Sequence, residues 1–214
     1  MESIRFATED GLSLEGELHE PDAPARGSAV LCHAHPRLGG SKDHPILWAI
    51  RNDLASRGFA VLSFNFRGAM RSGGTYGGGR SEVRDVSAAV TRVRGDVGGP
   101  TIVGGWSFGA SVALREAIDD ERVGALALIG LPISDAELDI PGPPSASELR
   151  ALRRPVLLVA GEGDPHCRQQ DLEALARKLP LTEVRIVPGT DHFFWRRERE
   201  LAEAVGGFAE RLAD

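Results

Sequence analysis

Long apolar runs are missing from this chain of 214 residues, and its N-terminus, MESIRFATEDGLSLEGE, lacks the charged-then-apolar layout of a leader. No stretch approaches the ~20 apolar residues that a membrane-crossing helix needs, so the expectation is a soluble, cytoplasmic protein with no membrane span. Basic blocks are also missing. The 31 acidic and 25 basic residues are mixed along the chain, for a formal net charge of -6, and no cationic stripe is present to follow a phosphate backbone. Nucleic acid is therefore not expected as a partner. Cysteine is scarce: Cys32 and Cys167 are far apart with no C-x-x-C spacing, which argues against a disulfide framework and a zinc site. Cys32 ends an apolar run and reads as a small buried hydrophobe. Cys167 falls in the loop GEGDPHCR, where exposure and oxidation are conceivable, although burial is the favoured reading for both.

What the chain does have is 42% hydrophobic residues over a length that suits one large domain, taken here as residues 1–214. SIRFA and LSLEGELH alternate polar and apolar residues about the turn TEDG, as an antiparallel hairpin does. SAVLCH, AVLSFN, PTIVGG, GALALIG, PVLLVAG and EVRIVPG then follow as short, nearly continuous apolar runs, the pattern of strands buried on both faces. Between them HPILWAIRNDLASRG, RSEVRDVSAAVTRVRG, SFGASVALREAIDD, QQDLEALARKLP and FWRRERELAEAVGGFAERLAD have helical spacing. This alternation predicts an α/β fold: a doubly wound, mostly parallel sheet of about eight strands covered by helices. Residues 131–154, broken by PGPP, read as a turn-rich loop too short to be a separate domain. GGTYGGG lacks the G-K-[ST] ending of a phosphate loop and reads as a surface loop.

In a doubly wound sheet, functional residues belong at the carboxyl ends of strands. VGGWSFGASVAL places Ser107 there, between a strand and a helix, with Gly105 and Gly109 on either side. That is the setting of a nucleophile elbow, in which a strained turn lifts a serine hydroxyl above the sheet while glycines let strand and helix approach. The N-H of Phe108 would face a developing oxyanion at the helix N-terminus. A serine needs a base. His192 follows the last strand in PGTDHFFW, and Asp164 follows the one before in GEGDPH; the order Ser107, Asp164, His192 is that of a known hydrolytic triad. Rivals are His166 for the base and Glu162 for the acid. Asp191, adjacent to His192, should point elsewhere. A second oxyanion donor should come from HAHPRLGG; Pro36 has no N-H, which leaves His35 or Arg37. His33, His35 and His44 do not have helical ligand spacing and no carboxylate completes a set, so neither a metal nor another cofactor is expected.

These segments together resemble the α/β-hydrolase superfamily, in particular the small, nearly capless bacterial hydrolases related to dienelactone hydrolases and short-chain esterases. HAHPRLGG is similar to their HPHP-type loop, SFNFRGAMRSGGTYGGGRSEVRDV to their N-F-R-G segment, GGWSFGA to their elbow and TDHFF to their histidine loop. The resemblance runs nearly end to end. It implies a triad of Ser107, Asp164 and His192, an oxyanion hole from Phe108 and the His35 region, and a supporting role for Arg67, with a grip on a substrate carboxylate as the sharper alternative. Ala34 stands where the family usually has proline, and Ala69-Met70-Arg71 replaces the usual small residues, which bears on loop shape.

The function expected is that of a serine hydrolase, most simply a carboxylesterase acting on a small-molecule ester with a small to medium acyl group. An open site bounded by Trp106, Phe108, Tyr76, Phe193 and Trp195 would hold it, unless these rings serve as core packing. A thioesterase, amidase or peptidase using the same triad, or a binding protein on a retained hydrolase scaffold, are the alternatives. Nothing in the residues selects between monomer and homodimer.

Overall fold

The computed structural model describes residues 1–95, 97–134, 140 and 142–214. Strands β1 (Glu2–Ala7) and β2 (Ser13–His19) form the antiparallel hairpin that the alternation predicts, with Phe6 opposite Leu14. They are followed by β3 (Gly27–Cys32), β4 (Phe59–Phe64), β5 (Thr101–Trp106), β6 (Ala125–Ile129), β7 (Val156–Gly161) and β8 (Thr182–Val187). Among the described residues these make one sheet of eight strands in the order β1-β2-β4-β3-β5-β6-β7-β8. β2 joins β4 antiparallel, and the remaining pairs are parallel. The chain winds outward from β3 to β4, then returns past β3 to β5. The winding direction therefore reverses between β3 and β5, and a crevice opens above their carboxyl ends.

The helices are α1 (Pro45–Ser56), α2 (Glu82–Arg94), α3 (Phe108–Asp119), α4 (Ala146–Ala151), α5 (Gln169–Ala176) and α6 (Glu198–Ala213). Because side chains alternate along a strand, each central strand feeds two cores. Val30, Leu62, Val103, Leu128 and Leu158 pack into one, which α2 and α3 cover; Leu31, Val61, Ile102 and Val159 pack into the other, against α1 and α6. Each fully buried aliphatic side chain contributes about 1.5–3 kcal/mol, so the layered middle of the sheet is the stable platform of the molecule.

Three expectations need correction. EVRIV is not buried on both faces: β8 is an edge strand whose Glu183, Val184 and Arg185 are exposed. Its charged residues protect an edge from pairing with another chain. The last helix begins at Glu198 rather than at Phe194, since Phe194 and Arg196 have φ of 51° and 64°, which no right-handed helix accepts. Part of the segment read as loop is α4, begun by a capping box in which Ser145 Oγ accepts from Glu148 N and Glu148 Oε2 accepts from Ser145 N.

A charged device sits where α3 meets α2. Burial, and then the hydrogen bond with Asp120, push the Glu116 carboxyl up from 4.5 to about 8. Burial pushes Asp120 the same way, but its bonds from Arg122 outweigh this and keep it below its ordinary value. Between pH 4.5 and 8 the folded chain thus holds a proton that the unfolded chain releases, so Glu116 makes stability fall as pH rises through that window. In Glu116→Gln the melting temperature should depend less on pH over this range. Parallel Tm-against-pH curves for variant and parent, measured by circular dichroism, would contradict the assignment.

Candidate active site

Ser107 stands between β5 and α3 with φ 56° and ψ -119°, a conformation that costs a non-glycine residue about 1–3 kcal/mol. Its N-H donates to Ile129 O at 2.8 Å, which ties the turn to the neighbouring strand β6. The strain persists because the two adjoining segments are in contact. A Cβ on Gly109 would lie 2.3 Å from the Cys32 carbonyl oxygen, and one on Gly105 would lie 2.4 Å from the carbonyl of Gly109. Only glycine allows helix α3 to sit this close to β3 and β5.

Asp164 and His192 are brought together by the loops after β7 and β8. Asp164 Oδ1 accepts N-H bonds from His166 at 2.9 Å and Cys167 at 3.1 Å, leaving Oδ2 to face His192 Nδ1 at 2.8 Å. The carboxylate as acceptor places a proton on Nδ1, and in the neutral ring the other nitrogen, Nε2, is then the acceptor. The histidine is held from behind, since its carbonyl accepts from Trp106 Nε1 at 3.1 Å. Gly130, which follows β6, makes room for the pair: a Cβ there would come within 3.1 Å of the imidazole and 3.2 Å of Asp164 Oδ2. Its role could have been sought in the sequence, where it ends an apolar run, yet only the geometry singles it out.

Ser107 and His192, 8% and 7% exposed, line one cavity of about 210 Å³ above the carboxyl ends of β3 and β5. His35, Trp106, Phe108 and Phe193 line it as well. Tyr76 does not, contrary to expectation: it lies behind the wall, its ring 4.8 Å from His35 and 5.7 Å from Phe108. Trp195 stacks on Phe193 on the outer surface. Leu38, His44, Ile140 and His166 are lining residues to which the sequence reading gave no such place. Leu38 and His44 belong to the loop after β3, whose folding over the crevice no local pattern announces.

Of the rivals, the two carboxylates fall elsewhere and His166 lies beside His192. Glu162 is exposed and accepts from Gly189 N at 2.9 Å, and Asp191 accepts from Phe193 N at 2.9 Å; neither is in the bond to His192. The His166 ring meets that of His192 edge-on at 4.9 Å. In the loop after β3, Arg37 N donates to His35 Nδ1 at 3.2 Å. His33 is fully buried, and burial lowers its pKa to about 4; its Nε2 accepts from Phe66 N and its Nδ1 bonds Ala34 O. No group of three or more His, Cys, Asp or Glu among the described residues is arranged to hold a metal ion.

Arg67 is a strut. Its guanidinium bonds Asp85 on α2 at 2.7 and 2.9 Å and Asp10 in the hairpin turn at 2.8 Å, and it does not line the cavity. These bonds are those of the supporting role expected of Arg67, and not of the alternative, a grip on a substrate carboxylate. Cys167 is buried in the core, not exposed in its loop.

The sequence pattern of the alpha/beta hydrolase domain matches residues 27–210, and the chain belongs to that family. No curated protein matches it in sequence. Among solved structures, a protein of unknown function from Agrobacterium tumefaciens is 25% identical over 98% of this chain and 95% of its own, with a TM-score of 0.85. An alpha-beta serine hydrolase homologue from Coxiella burnetii is 25% identical over 97% and 96%, with a TM-score of 0.83. A serine hydrolase without a lid from Xanthomonas campestris is 26% identical over 98% and 94%, with a TM-score of 0.79. The present fold likewise carries no cap among its described residues, and no helix among them is long and apolar enough to cross a membrane.

Proposed function

We propose that the chain is a serine hydrolase of the carboxylesterase type, with Ser107 as nucleophile, His192 as base and Asp164 as the group that orients it. The observation that carries this reading is one cavity shared by a serine on a strained strand-to-helix turn and an imidazole bonded at 2.8 Å to a carboxylate. Ser107 Oγ attacks the ester carbonyl carbon while His192 Nε2 takes its proton, and the carbonyl oxygen becomes an oxyanion. The N-H of Phe108, at the first position of α3 where helical N-H groups lack internal acceptors, stabilises that oxyanion together with His35 N-H. Each such donor typically lowers the barrier by about 3 kcal/mol. The intermediate collapses with return of the proton to the departing alcohol, and water then repeats the sequence on the acyl-enzyme.

The small cavity, walled mainly by Trp106, Phe108, Leu38 and Phe193, suits a short acyl group. Pockets for drug-sized ligands start at about 300 Å³. Hydrolysis of p-nitrophenyl esters should fall steeply from acetyl and butyryl to palmitoyl, and a fluorophosphonate should label Ser107 in the parent but not in His192→Ala. Equal turnover of all chain lengths would contradict the size argument; absent labelling of the parent would remove the nucleophile and favour a binding protein on the same scaffold. Thioester and anilide substrates of equal acyl length read the bond preference in the same assay.

A further inference from the structure

The dipeptide His-Pro occurs twice in the loop over the crevice, at His35-Pro36 and His44-Pro45, and both copies fold alike. His35 caps the single helical turn Pro36–Leu38, its Nδ1 accepting from Arg37 N at 3.2 Å. His44 caps α1, its Nδ1 accepting from Ile46 N at 3.4 Å. The reason is common to both. Proline at the first helical position offers no N-H, so the first donor is the residue after it, and the imidazole meets that donor as an oxygen cap would. An imidazole that accepts at Nδ1 carries its proton on Nε2. His44 lines the cavity with Ser107 and His192, its ring 4.3 Å from that of Trp106.

We propose that His44 is a substrate-binding residue, donating its Nε2-H to a neutral oxygen that the substrate carries in addition to its scissile carbonyl. The proposal rests on the serine hydrolase reading of the cleft. Burial lowers the His44 pKa against the opposing pull of Glu198, which keeps the ring neutral and its cap intact. Trp106 Nε1 is already bonded to His192 O, and Ser107 and His192 are committed to the reaction. No Lys, Arg, Asp or Glu is among the described residues that line the cavity, so a carboxylate on the substrate would meet no lysine or arginine there. An ether, hydroxyl or keto oxygen matches a neutral donor set in an otherwise apolar wall.

The test compares isosteric esters that exchange one methylene for oxygen: p-nitrophenyl methoxyacetate against p-nitrophenyl butyrate, and 2-methoxyethyl acetate against n-butyl acetate. Rates are divided by those of alkaline hydrolysis to remove intrinsic reactivity. One of the two pairs should favour the oxygen member about tenfold in kcat/KM, the scale of one well-made hydrogen bond. His44→Asn keeps a cap acceptor for α1 but has a shorter side chain, whose amide N-H falls short of the position held by the imidazole Nε2-H, and should erase that preference. A preference that survives in His44→Asn, or its absence from both pairs in the parent, would overturn the proposal. Nitrogen-15 NMR of the histidine side chains gives a second readout, expected to show His44 neutral with the proton on Nε2 at pH 7; the Nδ1-H tautomer or the cation would overturn it independently of any turnover. Ser107→Ala run beside these assays keeps the two claims apart, because unchanged hydrolysis there would sink the serine mechanism and not the imidazole geometry. Failure of all four esters to react would sink the hydrolase reading and the substrate class with it.

Discussion

Replacing Ser107 with alanine is expected to lower kcat/KM for p-nitrophenyl acetate about 10,000-fold, equivalent to roughly 5.5 kcal/mol of transition-state stabilisation. Removing the hydroxyl abolishes the acyl-enzyme route and leaves only whatever the oxyanion donors and binding contribute to direct attack by water. The fold should remain, because the turn is held by contacts that alanine keeps: the N-H bond to Ile129 O and the packing of Gly109 on Cys32. Ser107→Gly makes the same loss of activity separable from strain. At φ 56° glycine pays no Cβ penalty, so this inactive variant should melt no lower than the alanine one. Retention of the parental rate in Ser107→Ala would remove the serine mechanism.

The largest expected effect on stability lies away from the cavity, in Asp85→Ala. Asp85 is fully buried and meets Arg67 through its backbone N-H at 2.8 Å and its guanidinium at 2.7 and 2.9 Å. Burial pushes the carboxyl pKa up even against this partner, a sign of how little water reaches the pair. Truncation would leave a buried cation with Asp10 alone and an N-H with no acceptor. Breaking a buried pair in this way costs about 3–5 kcal/mol, or a fall of about 10 °C in Tm for a chain of this size. Asp85→Asn retains an acceptor and the shape, and should lose less. A Tm for Asp85→Ala within about 2 °C of the parent would show that the strut does not hold the fold together.

Much of this could be read in the chain before folding, and the reasons differ by element. β3 to β7 are unbroken apolar runs because they are covered on both sides, and their alternation with helical segments leaves few ways to wind a sheet. β8 has the same apolar positions but adds Glu183 and Arg185, and those charges distinguish an edge from a centre. Ser107, Asp164 and His192 were accessible because each lies just past a strand, where order along the chain stands in for position in space. The cavity wall was not. His44 and Leu38 reach it through the path of an irregular loop, and Tyr76 misses it by sitting behind His35, distinctions that depend on tertiary packing. The short helix α4 did have a local signature, the serine-to-glutamate spacing of its capping box, within a segment whose prolines drew the reading toward loop.

Both thiols of the chain are walled in directly beneath the loops of the cleft. Gly109 rests on the carbonyl of Cys32, and the amide of Cys167 clasps Asp164. A thiol reagent added to the intact protein can therefore reach either atom only when the floor of the elbow or the clasp around the acid comes apart. The two cysteines amount to built-in stopwatches for breathing at opposite sides of the crevice, and their modification rates would time each opening separately without any foreign label.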